Sequence, residues 1–304
     1  MTATPAPAAA DPAAPPLPWA YRTEAWAAAV LAGGFGLLPL DAASDFGGWL
    51  ARRIGPALGI SKRARLNLAA AMPGLSAAAI DTIIRGMWDN LGRVAAEYPH
   101  LRRLSVFTPG GRVETLGFEH VDRARAAGRR LIFFAGHLAN WEIAALAAGQ
   151  YGIDIAQIYR AANNPLVDRL IGRLRGELGE LIPKGALGSR RAVAALRRGG
   201  HLSMLVDQKL NDGIPVPFFG RLAMTAPALA LLALHFDCDV LPARVERLGG
   251  ARFRLTICPP LALPKTGDRN ADVLALMTAV NATLEAWIRE RPEQWFWLHR
   301  RWPD

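Results

Sequence analysis

Cysteine is scarce in this chain. Its 304 residues include two, Cys238 and Cys258, and neither lies in a CxxC or Cys/His cluster. A zinc site and a disulfide framework are therefore not indicated, and the usage fits a reducing compartment. Acidic residues are outnumbered too: 26 Asp and Glu face 36 Lys and Arg, a net charge of +10. That balance favours contact with polyanions (nucleic acid, an anionic bilayer, phosphorylated lipids or an acidic carrier protein) without choosing among them. Long hydrophobic runs are missing, although 51% of the residues are hydrophobic. The uncharged stretch "AWAAAVLAGGFGLLPL", Ala25 to Leu40, has 16 residues, short of the ~20 that a perpendicular membrane span needs. It suits a short anchor, a helix lying in the interface or a buried helix. A cleaved signal peptide fits less well, because the first basic residue is Arg22, behind a Pro-rich arm. Internal repeats are absent, as are helix-turn-helix, RNP-like and OB patterns, which argues against nucleic acid.

Composition divides the chain. Met1 to Pro18 is almost wholly Ala, Pro, Thr and Asp, so a disordered arm is expected over 1–20. A helical region over 21–100 follows, carrying the membrane-associating stretch at about 25–40. Arg52, Arg53, Lys62, Arg63 and Arg65 come after that stretch and only Arg22 precedes it. If the stretch inserts, the positive-inside rule leaves the bulk of the chain on the cytoplasmic side.

Over 101–304 the pattern alternates. "RLIFFAG", "IDIAQIY" and "HLSMLVD" are short apolar runs suited to buried strands, and "NWEIAALAAGQ", "PLVDRLIGRLRGELG" and "SRRAVAALRRG" between them read as helices. "TAPALALLALHF" and "ADVLALMTAVNATLEAWIRERP" read as further helices, and "DVLPARVERL" with "RFRLTICPPL" as paired strands. The expected fold is α/β: a single domain with a mixed central sheet flanked by helices, preceded by an N-terminal apolar helix.

The stretch "FFAGHLANWEI" sets His137 and Glu142 five positions apart after the first of these strands. Mid-helix, that spacing leaves the two side chains about 140° apart. With His137 in the turn and a helix starting near Asn140, the ring folds back over the first turn and Glu142 becomes a partner for Nδ1. A histidine held in one tautomer by a carboxylate is a general-base arrangement. The HExxH zinc pattern does not occur here. Arg160 and the pair Asp207-Gln208 end strands, where α/β folds place ligand-contacting groups; the plainer readings are a surface arginine and a turn. Asn164-Pro165 suits a helix start, and Thr225 suits an N-cap before "APALALLALHF". "PVPFFG" reads as a loop, and "WFWLHRRW" reads either as an interfacial aromatic-basic patch or as core packing.

"GHLANWE" resembles the H-x4-[D/E] motif of glycerolipid acyltransferases, and more narrowly the G-H-x-x-N-W-E form of the bacterial lipid A biosynthesis acyltransferases. "IYRAANNPLVDRLI", "MLVDQKLNDGIPVPFFGRLAMT" and "PEQWFWLHRRW" resemble that family's later blocks, in the same order. Leu138-Ala139 stands where the family more usually has Phe-Gly. The resemblance implies transfer of an acyl chain from a thioester, with acyl-acyl carrier protein as the expected donor, to a hydroxyl of a lipid A precursor. It implies His137 as general base and Glu142 as the carboxylate that orients it, with Asn140, Arg160, Asn164, Asp207, Gln208, Phe219 and Gly220 as substrate-binding candidates. It implies no metal, no cofactor and no nucleic acid. The partners implied are acyl carrier protein, an anionic glycolipid acceptor and the cytoplasmic surface of the bacterial inner membrane. Another glycolipid or lysophospholipid acceptor, or a non-catalytic protein binding anionic membranes on the same fold, are the competing readings.

Overall fold

A run such as "LIFFA" has no polar face, so a strand made from it is stable only with both faces covered. The computed structural model describes residues 17–175 and 179–302, and it places this run at the centre of a sheet. In chain order the elements are α1 (Trp19–Leu37), α2 (Leu40–Ile54), α3 (Ser61–Ala71), α4 (Ala77–Glu97), β1 (Val113–Leu116), α5 (Glu119–Ala126), β2 (Leu131–Ala135), α6 (Glu142–Gln150), β3 (Ile155–Tyr159) and α7 (Pro165–Arg175). There follow β4 (Glu180–Pro183), α8 (Ala186–Arg197), β5 (His201–Leu205), β6 (Lys209–Phe218), β7 (Arg221–Thr225), α9 (Ala228–Phe236), β8 (Asp239–Gly249), β9 (Arg252–Ile257) and α10 (Arg269–Glu290).

Seven strands form the main sheet in the order β1-β9-β8-β2-β5-β3-β4. β8 and β9 pair antiparallel, and every other pairing in it is parallel, so the sheet is mixed, as the sequence pattern predicts. Successive β2 side chains go to opposite faces. Ile132 and Phe134 join a core with α10, α9 and the C-terminal tryptophans, while Leu131 and Phe133 join a second core under α5 and α6.

Two strands of the main sheet and one hairpin escape the sequence reading. β1 and β4 have four residues each, too few to show a period. β6 and β7 form a separate antiparallel hairpin where a loop is expected. Pro215 and Pro217 within it read against a strand, and its turn takes Phe219 and Gly220 to positive φ, 53° and 69°. The expected cap at Thr225 is also corrected. Thr225 ends β7 and is buried, and α9 begins three residues later behind Pro227.

The arm expected over 1–20 lies, through residue 16, outside the described residues. The uncharged stretch does not make one helix: α1 ends at Leu37 and α2 starts after Pro39. α1 buries none of its residues. α2 lies so close to α4 that a Cβ on Gly92 would meet the Gly47 carbonyl oxygen at 2.2 Å, so only glycine permits this crossing. Among the described helices, α10 is long and apolar enough to cross a membrane, but half of its apolar window is buried, and it packs as a core helix.

Candidate active site

Four parallel neighbours, β2, β5, β3 and β4, end on the same edge of the sheet, the place where open α/β sheets present ligand-contacting groups. The residues just past those ends are His137, Asp207 with Gln208, Arg160 and Lys184. The sequence separates His137 and Asp207 by 70 positions, yet β2 and β5 are adjacent.

The carboxylate of Asp207 is fully buried and receives His137 twice. The imidazole Nδ1 lies 2.7 Å from Oδ1, and the backbone N–H of His137 donates to Oδ2 at 2.7 Å. The Trp295 indole donates to the same Oδ2 at 2.7 Å. Burial raises the Asp207 pKa, but the facing His137, then His299, more than offset this and hold it well below the usual carboxylate range. This arrangement keeps a proton on Nδ1 and leaves the Nε2 lone pair outward. The His137 side chain is 15% exposed, enough for a small group to reach the ring. The Gln208 amide stands 3.5 Å from Nε2, too far for a well-formed bond. Trp141, Phe296 and His299 surround the ring, with centroids 5.1, 6.3 and 5.7 Å away.

Glu142 stands elsewhere. It opens α6, is 1% exposed, and forms a two-pronged ion pair with Arg175 on α7. The Tyr98 hydroxyl donates to its Oε1 at 2.7 Å. Burial, then the Glu142 charge, pushes the Tyr98 phenol up, so it remains a donor. The expected pairing of Glu142 with Nδ1 is therefore corrected. Once the helix starts at Glu142, the carboxylate points to α7, and the neighbouring strand supplies the acid that meets the ring.

Residues 18–304 match the sequence profile of the bacterial lipid A biosynthesis acyltransferases. The chain belongs to that family. It is 29% identical over 194 residues to the lipid A biosynthesis lauroyltransferase of Escherichia coli K12, covering 62% of this chain and 61% of that one. It is 26% identical over 193 residues to a lipid A biosynthesis acyltransferase of Haemophilus influenzae, covering 62% and 58%. With the lipid A biosynthesis myristoyltransferase of Escherichia coli K12 it shares 26% identity over 239 residues, covering 78% and 73%. The first two matches thus span about three fifths of the relatives' lengths.

In this lipid A acyltransferase family member, the other candidates fall into two groups. Arg160 and Gln208 stay at the strand-end edge and reach solvent. Asn140, Asn164 and Phe219 do not, each being buried. Asn140 is fully buried, donates to Glu97 at 2.8 Å and accepts from the Glu142 amide. Asn164 donates to the Tyr21 carbonyl and Glu24, and its Oδ1 accepts from the Leu166 amide at the start of α7. Phe219 packs against Phe218, Trp297 and Trp302. Gly220 is the exposed turn residue beside it. The C-terminal "WFWLHRRW" is core, with Trp295, Trp297 and Trp302 all buried.

Sequence reasoning missed the frame that holds the His137 loop. Ala139 has φ +49°, a strained conformation for a residue with a side chain. Its N–H donates to the Gln294 carbonyl at 3.0 Å, and its own carbonyl accepts from the Asn90 amide at 3.1 Å. Asn90 and Glu97 on α4 are in turn joined by Arg247 of β8, which donates to both. His299 carries no signal of its own within the aromatic-basic C-terminal stretch, yet both its ring nitrogens are buried without a hydrogen-bond partner. Burial, opposed by Asp207 and aided by His137, pushes its pKa down to about 3. Among the described residues no group of three or more His, Cys, Asp or Glu is arranged to hold a metal.

Proposed function

We propose that the chain transfers a fatty acyl group from an acyl thioester, carried by acyl carrier protein, to a hydroxyl of a lipid A precursor. The observation that carries this reading is the buried Asp207 carboxylate on His137 Nδ1, with Nε2 left free on the ligand-facing edge. Family membership supplies the reaction class.

In this mechanism Nε2 takes the proton of the acceptor hydroxyl as its oxygen attacks the thioester carbonyl. Asp207 stabilises the imidazolium that forms. The tetrahedral oxyanion is met by backbone amides near the turn. Collapse of the intermediate breaks the carbon–sulfur bond, and the departing thiolate takes the proton back from Nε2. Direct transfer suits the cysteines, because Cys238 is buried and its thiol is pushed up to about 11. Glu142 then serves the scaffold, anchoring the start of α6 to α7.

The membrane surface in this reading is N-terminal. Trp19, Trp26, Leu31 and Leu37 of α1 are exposed, as are Trp49 and Leu66 on the next helices, with Arg52, Arg53 and Lys62 nearby in sequence. Apolar side chains flanked by cations suit the anionic cytoplasmic face of the inner membrane. The test is incubation with acyl-carrier thioesters and a panel of acceptors, with mass spectrometry of the lipids. An acylated lipid A precursor made by the parent protein and not by folded His137→Ala is the expected result. Thioester hydrolysis without an acylated lipid would replace transferase with thioesterase.

A further inference from the structure

Most arginines along the sheet are matched by acids. Arg129 pairs with Asp237 and Asp239, Arg191 with Glu180, and Arg254 with Glu114. The ligand-facing edge departs from this habit. β3 and β4 run parallel with Tyr159 opposite Pro183, and the Lys184 amide donates to the Tyr159 carbonyl at 2.9 Å, which carries the ladder one step further. That step sets Arg160 beside Lys184. Both are exposed, and among the described residues neither has a carboxylate within ion-pair distance. Among the described residues Arg160 reaches the Asn163 side-chain oxygen, at 3.5 Å. Crowding by the surrounding chain lowers the Lys184 pKa first, and Arg160 lowers it further while Asp207 opposes. Lys184 therefore lies within electrostatic reach of both Arg160 and Asp207.

Two adjacent like charges without a counter-charge are unfavourable in the free protein and become favourable when an anion bridges them. We propose that Arg160 and Lys184 form a subsite for a phosphoryl group of a substrate whose reacting end lies at His137. The sheet sets the distance: β3 and β4 are two and three strands from β2, roughly 10–15 Å at the backbone. A phosphate bonded next to the reacting atom does not span that gap; a phosphoryl group tethered through a linker does. Such a group occurs in the phosphopantetheine arm of the thioester donor and in a phosphorylated glycolipid acceptor. The guanidinium fork and the ammonium suit phosphoryl oxygens.

This subsite rests on the acyl-transfer reading, and the test separates the two. Kinetics are compared for the full-length protein, Lys184→Gln, Arg160→Gln and the charge-retaining Lys184→Arg. The donors are acyl-phosphopantetheine and acyl-pantetheine, and the acceptors are the phosphorylated glycolipid and its dephosphorylated form. Lys184→Gln is expected to raise KM about tenfold for one phosphorylated substrate, much less for its dephosphorylated form, with recovery in Lys184→Arg. The arm that responds identifies the source of the phosphate. Equal effects on phosphorylated and dephosphorylated forms of both substrates, or no effect on any, would overturn the subsite. Calorimetric binding of acyl-phosphopantetheine and of the phosphorylated glycolipid runs alongside. Phosphate-dependent binding lost in Lys184→Gln, in a parent protein without turnover, keeps the subsite and removes the acyl-transfer reading. If neither ligand's binding depends on its phosphate and on Lys184, the subsite falls, whatever the turnover.

Discussion

Asp207 and Glu142 are both carboxylates almost wholly removed from solvent, and both are held by a basic partner. Their partners make the difference. Glu142 meets a guanidinium, which cannot give up its proton, and a phenol that stays a donor. Asp207 meets an imidazole whose second nitrogen faces the ligand edge. The first pair is a finished scaffold contact, whereas the second leaves a site able to move a proton. Sequence distance runs the opposite way: the acid five positions from His137 does not hold its ring, and the acid 70 positions away does.

The comparison breaks most visibly at Asp207. Asp207→Asn allows the wrong imidazole tautomer, and kcat is expected to fall about 10⁴-fold while the protein stays folded; steady-state transfer assays read this directly. Glu142→Gln should do the reverse, leaving Arg175 charged in the interior at a cost of about 3–5 kcal/mol. Urea unfolding measures that loss, and transfer per folded molecule should hardly change. A Glu142→Gln protein of parental stability but no activity would reverse the two assignments. Trp295→Phe removes one bond to Asp207 Oδ2, and a loss of about tenfold in kcat is expected.

The mildest expectation concerns His299. Its folded pKa of about 3 lies below the ordinary 6.5, so the unfolded chain binds its proton first. Stability from this group is therefore complete above pH 6.5 and lost as pH falls toward 3, by up to about 1.4 kcal/mol per pH unit. Asp207 adds its own loss only below the ordinary 3.8, because its folded pKa is depressed. Unfolding free energies measured across this range should show a flatter slope for His299→Phe between pH 6.5 and 4.

Much of the scaffold is legible in the residues themselves. "LIFFA", "IAQIY" and the β8–β9 pair announce strands because β-branched, aromatic and apolar residues crowd into short runs. The β6–β7 hairpin is not legible, since its prolines and its positive-φ phenylalanine contradict local preference and are tolerated only against α10 and Trp302. The Asn140 and Asn164 side chains look equally available in sequence, and burial alone assigns them to holding loops.

The sequence alone determined that His137 sits in a strand-to-helix turn, that Asp207 and Arg160 end strands, and which family the blocks resemble. Such features follow from neighbours within a few residues. Tertiary structure decided which acid meets the imidazole. Strand order is a property of the assembled sheet, and placing β5 beside β2 brings Asp207 to Nδ1 while the direction of α6 carries Glu142 away to Arg175.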